Sequence, residues 1–552
     1  MSRRNNRRRD NFIVQGTILA AAGLIVRIIG LIYRIPMTNI IGDEGMGYYS
    51  FAYEPYSVML LLSYHGLPTA VSKLTAERNG EGRFKNSYRV FRAAMLLAIL
   101  IGAVTGAIIY YGAEYIAGGL NNQPMSAYAL KVLGPTIFIL AIMGILRGYF
   151  QGMGTMVPTA ISQIFEAIAN AIVSVFAASY LFAAGERYDL VLNETSHAEA
   201  YGAAGGTMGT FVGAAVGLVF LIFVYFMFRP MLNRQMRKDK NTRKESYGRL
   251  ANLLVMTSAP IILSSVIFNV STTVDGALFS SLMQVRYKLS EDAVASLWGI
   301  FTNKYKIMIM VPVAIATALA TSIVPDFSEE MAAGNKGRLV NKIHHAIRFT
   351  MLIAIPSAVG LSVLARPVLV LLFDNVSDVD VNLLRYGSLA VVFYSLSTIT
   401  NAVLQGIDQM RKPVLHAAIA LGAHLLVLAL LVGIVNTSIY GVLVSYILFA
   451  LFICILNAIA IRTALAYKQE YVRTFLFPVI ASIIMGAAVL GVYYGLNSLI
   501  KDTLLPLLLS IVVGMLLYFI LLLVFRCLKE EDFRSIPMGG TLLRILKILH
   551  LM

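Results

Sequence analysis

Gln151-Gly152-Met153-Gly154-Thr155-Met156-Val157-Pro158 returns, one residue longer, as Gln405-Gly406-Ile407-Asp408-Gln409-Met410-Arg411-Lys412-Pro413. The shift of about 255 residues also carries Asn79-Gly80-Glu81-Gly82-Arg83 onto Gly334-Asn335-Lys336-Gly337-Arg338. Both copies lie among apolar segments of helix length. That pattern marks a membrane chain built from structural repeats, the construction used by secondary transporters.

Working outward from the repeat, the 552-residue chain is 58% hydrophobic and only 13% charged. Its apolar runs reach spanning length many times over, which excludes a soluble domain. Cys454 and Cys527 are the only cysteines, so neither a disulfide framework nor a Cys-type metal site is indicated. The net charge of +16 is scattered over short loops, which argues for orientation in a membrane and against nucleic acid. The apolar stretch after the N-terminal arginines is too long for a secretory h-region and lacks a cleavage site, so a retained first span is expected.

At ~20 apolar residues per span, the sequence predicts an all-α polytopic membrane protein of fourteen helices: 12–35, 46–66, 90–112, 126–148, 157–183, 206–228, 250–274, 295–320, 346–371, 382–404, 414–435, 438–461, 474–495 and 504–526. Lys and Arg set the orientation. Lys73, Arg78, Arg83, Lys85, Arg89 and Arg92 gather in one predicted inner loop, and eight Lys or Arg between Arg229 and Arg249 in another. Acidic or neutral loops alternate with them, holding Asp43 and Glu44, Glu186 to Glu199, and Asp374 to Asp380. Both termini are therefore expected in the cytoplasm.

The repeated motifs follow spans two and four, then eight and ten. Each unit is thus six helices, and an even number repeats in parallel about an axis along the membrane normal. The expected organisation is an N-terminal lobe over 1–228, a basic linker over 229–249, a C-terminal lobe over 250–468, two further helices over 469–528, and a cytoplasmic tail over 529–552. The tail's Thr541 to Leu551 is basic and amphipathic, suited to the membrane surface.

Charges within spans cost roughly 2.5–3.5 kcal/mol each at mid-membrane and so face a cavity or a partner. Gly23, Arg27, Gly30 and Arg34 share one face of span one. Arg27 lies deep, whereas Arg34 is also compatible with snorkelling to the outer interface. Gly47, Ser50, Glu54 and Ser57 share a face of span two. Glu54 reads equally as an ion-pair partner of Arg27 or as a protonation site. In span eight, Gly299, Asn303 and Lys306 form a polar stripe, while Lys304 shares its face with Ile300, Ile307 and Val311, so Lys306 is the favoured cavity lysine. Asp275 is a partner or an interface residue, and Glu166 with Asn170 suits interhelical hydrogen bonding.

These six candidates, Arg27, Arg34, Glu54, Asp275, Lys304 and Lys306, fall on corresponding helices of the two repeats. Deep cations there imply an anionic substrate, and phosphate or pyrophosphate suits Arg forks and a Lys point charge. His65, His344, His345, His416 and His424 lack metal-ligand spacing, and no GxxxxGK[ST] run supports an ATP-driven pump. No enzyme, metal or cofactor is expected. The driving force would be an ion gradient, the membrane potential or downstream consumption of the substrate.

Arg27-Ile28-Ile29-Gly30, Arg34, Gly42-Asp43-Glu44-Gly45-Met46-Gly47, His65-Gly66-Leu67-Pro68, Lys306, Ile323-Val324-Pro325-Asp326-Phe327-Ser328 and the two Gln-Gly loops give the chain a family likeness. It resembles the multidrug/oligosaccharidyl-lipid/polysaccharide flippase superfamily, and within it the MurJ-type lipid II flippases of the YtgP/SpoVB kind. The resemblance implies two lobes, alternating access and a cationic cavity for an undecaprenyl-pyrophosphate-linked precursor. On it, Arg27 and Arg34 match the family's span-one arginines, Lys306 matches its span-eight arginine, and the last two helices form a groove for the lipid tail. The chain has Lys at 306 where the family has Arg, Tyr48 where some members have an acidic residue, and His65 where those have Glu beside the glycine.

The function so implied is translocation of lipid II across the bacterial cytoplasmic membrane by a monomer working with membrane lipids. A different lipid-linked polysaccharide or spore-wall precursor is the alternative within the fold. A cation-coupled multidrug exporter is the alternative of another class, and a non-transporting scaffold is a third.

Overall fold

The computed structural model describes residues 2–193, 196–239, 244–500, 503–525 and 527. Among them there is no strand. The helices are α1 (Ser2–Leu60), α2 (Gly66–Gly80), α3 (Phe84–Tyr111), α4 (Ala127–Gly152), α5 (Val157–Leu192), α6 (His197–Lys238), α7 (Tyr247–Ser281), α8 (Glu291–Gly299), α9 (Lys306–Ala332), α10 (Lys336–Val363), α11 (Ala365–Leu372), α12 (Asp378–Gly387), α13 (Ala390–Gly406), α14 (Arg411–Gly433), α15 (Ile439–Leu465), α16 (Phe477–Ile500) and α17 (Leu504–Val524). The tail over 529–552 lies outside the described residues.

Eleven of these segments are long and apolar enough to cross a membrane, or twelve when the bent pair α12 and α13 is taken as one span. The segment Ala21–Gly80 counts once in that set, yet the chain reverses within it. Gly42 has φ 70° and ψ −179°, outside the helical region. A straight helix would hold Arg34 and Tyr49 about 22 Å apart, at ~1.5 Å per residue. Instead the Arg34 guanidinium carbon is 6.0 Å from the Tyr49 ring centre, so the arms before and after Gly42 fold back on each other. With that hairpin and the 35-residue α7, the set is consistent with fourteen spans.

The repeated motif is a helix stop with the same hydrogen bonds in both copies. Gly154 (φ 85°) and Asp408 (φ 61°), each fourth in its motif, are left-handed. Thr155 N–H donates to Phe150 O at 3.2 Å, and Gln409 N–H to Leu404 O at 2.9 Å, the six-to-one bond that closes a helix C-terminus. The motif glycine serves packing: a Cβ on Gly152 would meet the Ser72 carbonyl oxygen at 2.7 Å, and one on Gly406 the Phe327 Cβ at 2.5 Å. Ser72 and Phe327 are themselves separated by the repeat shift.

By packing, the chain forms two compact units, Met1–Asn303 and Lys304–Met552. This division falls inside the eighth expected span, whereas the repeat places the lobe boundary at the 229–249 linker. The described part of that linker is docked in unit 1. Glu245 takes the Nε and Nη2 donors of Arg78 at 2.9 and 2.7 Å, and Arg89 Nε donates to the Glu245 carbonyl at 2.8 Å. In unit 2, α16 and α17 pack together and onto α10 around Met485, Val489 and Leu352, where Tyr518 Oη donates to Leu352 O at 3.0 Å.

Candidate functional site

The second arm of α1 approaches the helix carrying Trp298 so closely that a Cβ on Gly47 would lie 2.0 Å from the Ala295 carbonyl oxygen. That proximity brings Gly299 and Asn303 of the one polar stripe against Gly47 and Ser50 of the other. Asn303 Nδ2 donates to Met46 O at 3.1 Å and to Ser50 Oγ at 2.8 Å. Ser50 Oγ also meets Thr302 Oγ1 at 2.8 Å. The turn over 300–305 is π-helical, a local widening that recurs at functional positions in helices.

Glu54 lies at the centre of this contact, and its partner is one the sequence did not suggest. Trp298 Nε1–H donates to Glu54 Oε1 at 3.2 Å. The indole is 0% exposed and stacks between Phe51 and Phe279, 5.7 and 5.6 Å between ring centres. Among the described residues Arg27 has no ion pair, so the Glu54–Arg27 bridge weighed from the sequence is not formed here. Asp275 is buried on α7, where Ser271 Oγ donates to it at 3.4 Å.

On the first arm of α1 the Arg27 side chain is exposed and that of Arg34 half-buried. Arg34 sits over Tyr49, which stacks on Tyr53 at 5.6 Å. Neither arginine has a carboxylate partner among the described residues. Unit 2 repeats the theme. Lys306 Nζ lies 5.2 Å from the Tyr446 ring centre, and Tyr446 stacks on Tyr394 at 4.6 Å. Each unit therefore rests one membrane cation on a pair of tyrosines, whose ring faces attract it.

Lys304 is placed differently from Lys306. It is 2% exposed, and its Nζ lies 3.0 Å from Asp380 Oδ1 and donates to Asn375 O at 2.6 Å. The contact with Asp380 is ionic rather than a well-aligned hydrogen bond, since Oδ1 accepts none. The same carboxylate caps α12 through Ser377 N–H at 2.7 Å. Lys304 thus anchors α12 in this conformation, while Lys306 keeps a half-open aromatic seat. The sequence signal for Asp380 was its capping box, Ser377 with an acid three residues on, but it read as a loop acid.

Arg147 was missed. It is buried four residues ahead of the first Gln-Gly motif and spends its forks inside unit 1, on Ser162 Oγ (2.9 Å), Tyr64 Oη (2.5 Å) and Glu166 Oε2 (2.7 Å). Glu166 therefore does bond between helices, whereas Asn170 Oδ1 accepts from Ser174 one turn on, at 2.8 Å. Four residues ahead of the second motif, Asn401 enters an uncharged network instead. Asn457 Nδ2 donates to Asn401 Oδ1 and Thr400 Oγ1, both at 2.9 Å, and Asn457 Oδ1 hydrogen-bonds His416 at 2.7 Å. No cluster of three metal-ligating side chains occurs among the described residues.

Long apolar helices with break points, half-buried cations on tyrosines and a duplicated helix stop define a multi-pass membrane protein. Its fold is that of a solved lipid II flippase MurJ in an inward closed conformation, with TM-score 0.66 at 16% identity over 92% of this chain and 98% of that one. Residues 13–331, more than half the chain, match the family described as polysaccharide biosynthesis protein, and residues 260–430 match MatE. The chain belongs to the polysaccharide biosynthesis protein family. It is 27% identical to the lipid II flippase MurJ of Bacillus subtilis strain 168, over 86% of this chain and 88% of that protein. It is 24% identical to stage V sporulation protein B of the same organism, over 97% and 99%.

Proposed function

We propose that the protein flips an undecaprenyl-pyrophosphate-linked peptidoglycan precursor, lipid II, across the bacterial cytoplasmic membrane by alternating access. The observation that carries this reading is the pair Arg27 and Arg34, two cations on one face of a membrane helix, with no carboxylate partner among the described residues. Leaving such charges uncompensated is costly in a bilayer, and a pyrophosphate offsets that cost with oxygens matched to guanidinium forks. The relative named as a lipid II flippase supports the choice of precursor.

In this reading Arg27 and Arg34 hold the pyrophosphate, and Lys306 offers a point charge to the anionic substrate from its own unit. Tyr49 and Tyr53 keep Arg34 seated yet available, because a ring face yields to an anion more readily than a carboxylate would. The lobes follow the sequence repeat, both termini are cytoplasmic, the chain works as a monomer, and α16 with α17 guides the lipid tail. Lys304, tied to Asp380, becomes a substrate ligand only in a conformation that breaks that pair. A spore-wall precursor is the second reading, favoured by the nearly end-to-end match to stage V sporulation protein B.

The test is complementation of a strain depleted of this protein. Arg27→Ala and Arg34→Ala should insert normally but fail to complement, and lipid-linked precursor, identified by mass, should accumulate in the inner leaflet. Full complementation by Arg27→Ala would overturn the reading. Accumulation of a precursor with a different headgroup would replace lipid II as the substrate.

A further inference from the structure

Unit 1 contains a cleft of about 180 Å3 away from the candidate site, far above the ~10–15 Å3 that one water occupies. Its walls include Tyr88 and Arg92 from α3, and Tyr225, Arg229, Asn233 and Met236 from α6. Each helix contributes a tyrosine followed four residues later by an arginine, a spacing that puts both on one face. The two phenols meet at 3.1 Å between oxygens, and the Arg92 guanidinium carbon lies 4.8 Å from the Tyr88 ring centre. Phe91 packs behind, 5.6 Å from Tyr225 and 4.5 Å from Tyr149, so the tyrosine floor is held by an aromatic stack.

The charge of this cleft is not neutralised from within. Arg92 and Arg229 are both exposed, and among the described residues neither meets a carboxylate. The acids that the following linker brings alongside are engaged elsewhere. Asp239 Oδ2 accepts the Lys85 backbone N–H at 2.8 Å, and its carbonyl takes Lys85 Nζ at 2.9 Å. Glu245 is held by both forks of Arg78.

We propose that this cleft binds a phosphate group, presented by the headgroup of an anionic phospholipid or free as inorganic phosphate. Two guanidiniums offer forked donors to its oxygens, the phenol pair adds the one O–H not spent between Tyr88 and Tyr225, and Met236 gives an apolar wall for a glycerol backbone. The Lys and Arg distribution puts this end of α3 and α6 on the cytoplasmic side, at the depth of inner-leaflet headgroups. The site is independent of the transport reading and assigns α3 and α6 a role in binding acidic lipid or phosphate.

Native mass spectrometry and thermal melting of the purified full-length protein test it, with phosphatidylglycerol, phosphatidylcholine and inorganic phosphate as probes. Wild type should retain phosphatidylglycerol over phosphatidylcholine if a lipid headgroup is the ligand. It should instead melt higher with inorganic phosphate, which displaces the lipid, if free phosphate is. Arg92→Gln with Arg229→Gln removes the forked donors and should weaken the effective probe by about tenfold or more, and each single substitution by roughly threefold or more. Arg234→Gln with Arg237→Gln removes equal charge outside the cleft and should leave binding within about twofold of wild type. The proposal is overturned if both double variants lose binding equally, or if Arg92→Gln with Arg229→Gln binds both probes as wild type does.

Discussion

Replacing Gly42 by alanine tests the hairpin that splits α1. Its φ of 70° and ψ of −179° lie in a region populated essentially by glycine alone, and a side chain there costs about 1–3 kcal/mol. Nothing lies within 4 Å of the Cβ position, so the whole cost is backbone strain. Gly47, five residues on, makes the opposite case: its backbone is helical, but a Cβ would sit 2.0 Å from the Ala295 carbonyl. The helices must part, at a further ~1–3 kcal/mol of overpacking, and the Asn303 bonds to Met46 and Ser50 lengthen. Reversible unfolding in mixed micelles should show both variants destabilised, Gly42→Ala by roughly 5- to 150-fold in equilibrium constant. Asn tolerates left-handed backbone but not this region, so Gly42→Asn should not rescue. A Gly42→Ala protein that unfolds like wild type would refute the claim that the reversal depends on this glycine.

Three further outcomes follow from named contacts. Lys304→Met leaves the Asp380 carboxylate buried and unpaired, a loss of about 3–5 kcal/mol visible as a lower melting temperature, and adding Asp380→Asn should recover most of it. Glu54→Leu removes the acceptor of the Trp298 indole N–H and should cost about 1–3 kcal/mol, whereas Glu54→Gln keeps a carbonyl acceptor and should cost less than half as much in the same melt. The Arg78 guanidinium holds the Glu245 carboxyl below the usual carboxylate range. A depressed carboxyl stabilises above its unfolded pKa of about 4.3 and loses that contribution as pH falls through the lower folded value. Hydrogen exchange of 244–249, corrected for intrinsic rate, should therefore be flat at neutral pH and accelerate in acid, while Glu245→Gln should show no such step.

The helices were legible because a bilayer leaves the backbone no alternative and demands long apolar runs. The reversal near Gly42 was legible from the acids that follow it, and the Gln-Gly turns from their repetition. Partners were not. Glu54 meets Trp298, and Arg92 shares a cleft with Arg229, across sequence distances that periodicity cannot bridge. Facing arguments put Lys306 and Lys304 on different faces, because helical phase is local information. They could not find Asp380, which meets Lys304 from a different helix, α12. Arg147 was not legible for a related reason: near a span end an arginine reads as a loop charge, and its partners Tyr64, Ser162 and Glu166 come from other parts of the fold.

Trp298 is the chain's one tryptophan, and its indole N–H rests on Glu54. Under excitation at wavelengths that the chain's 28 tyrosines scarcely absorb, the protein therefore emits from a single, dry, acid-tethered position. Any proton, ion or ligand that loosens Glu54 should shift that emission, so the unlabelled molecule carries its own optical gauge of the contact between α1 and the helix beginning at Glu291.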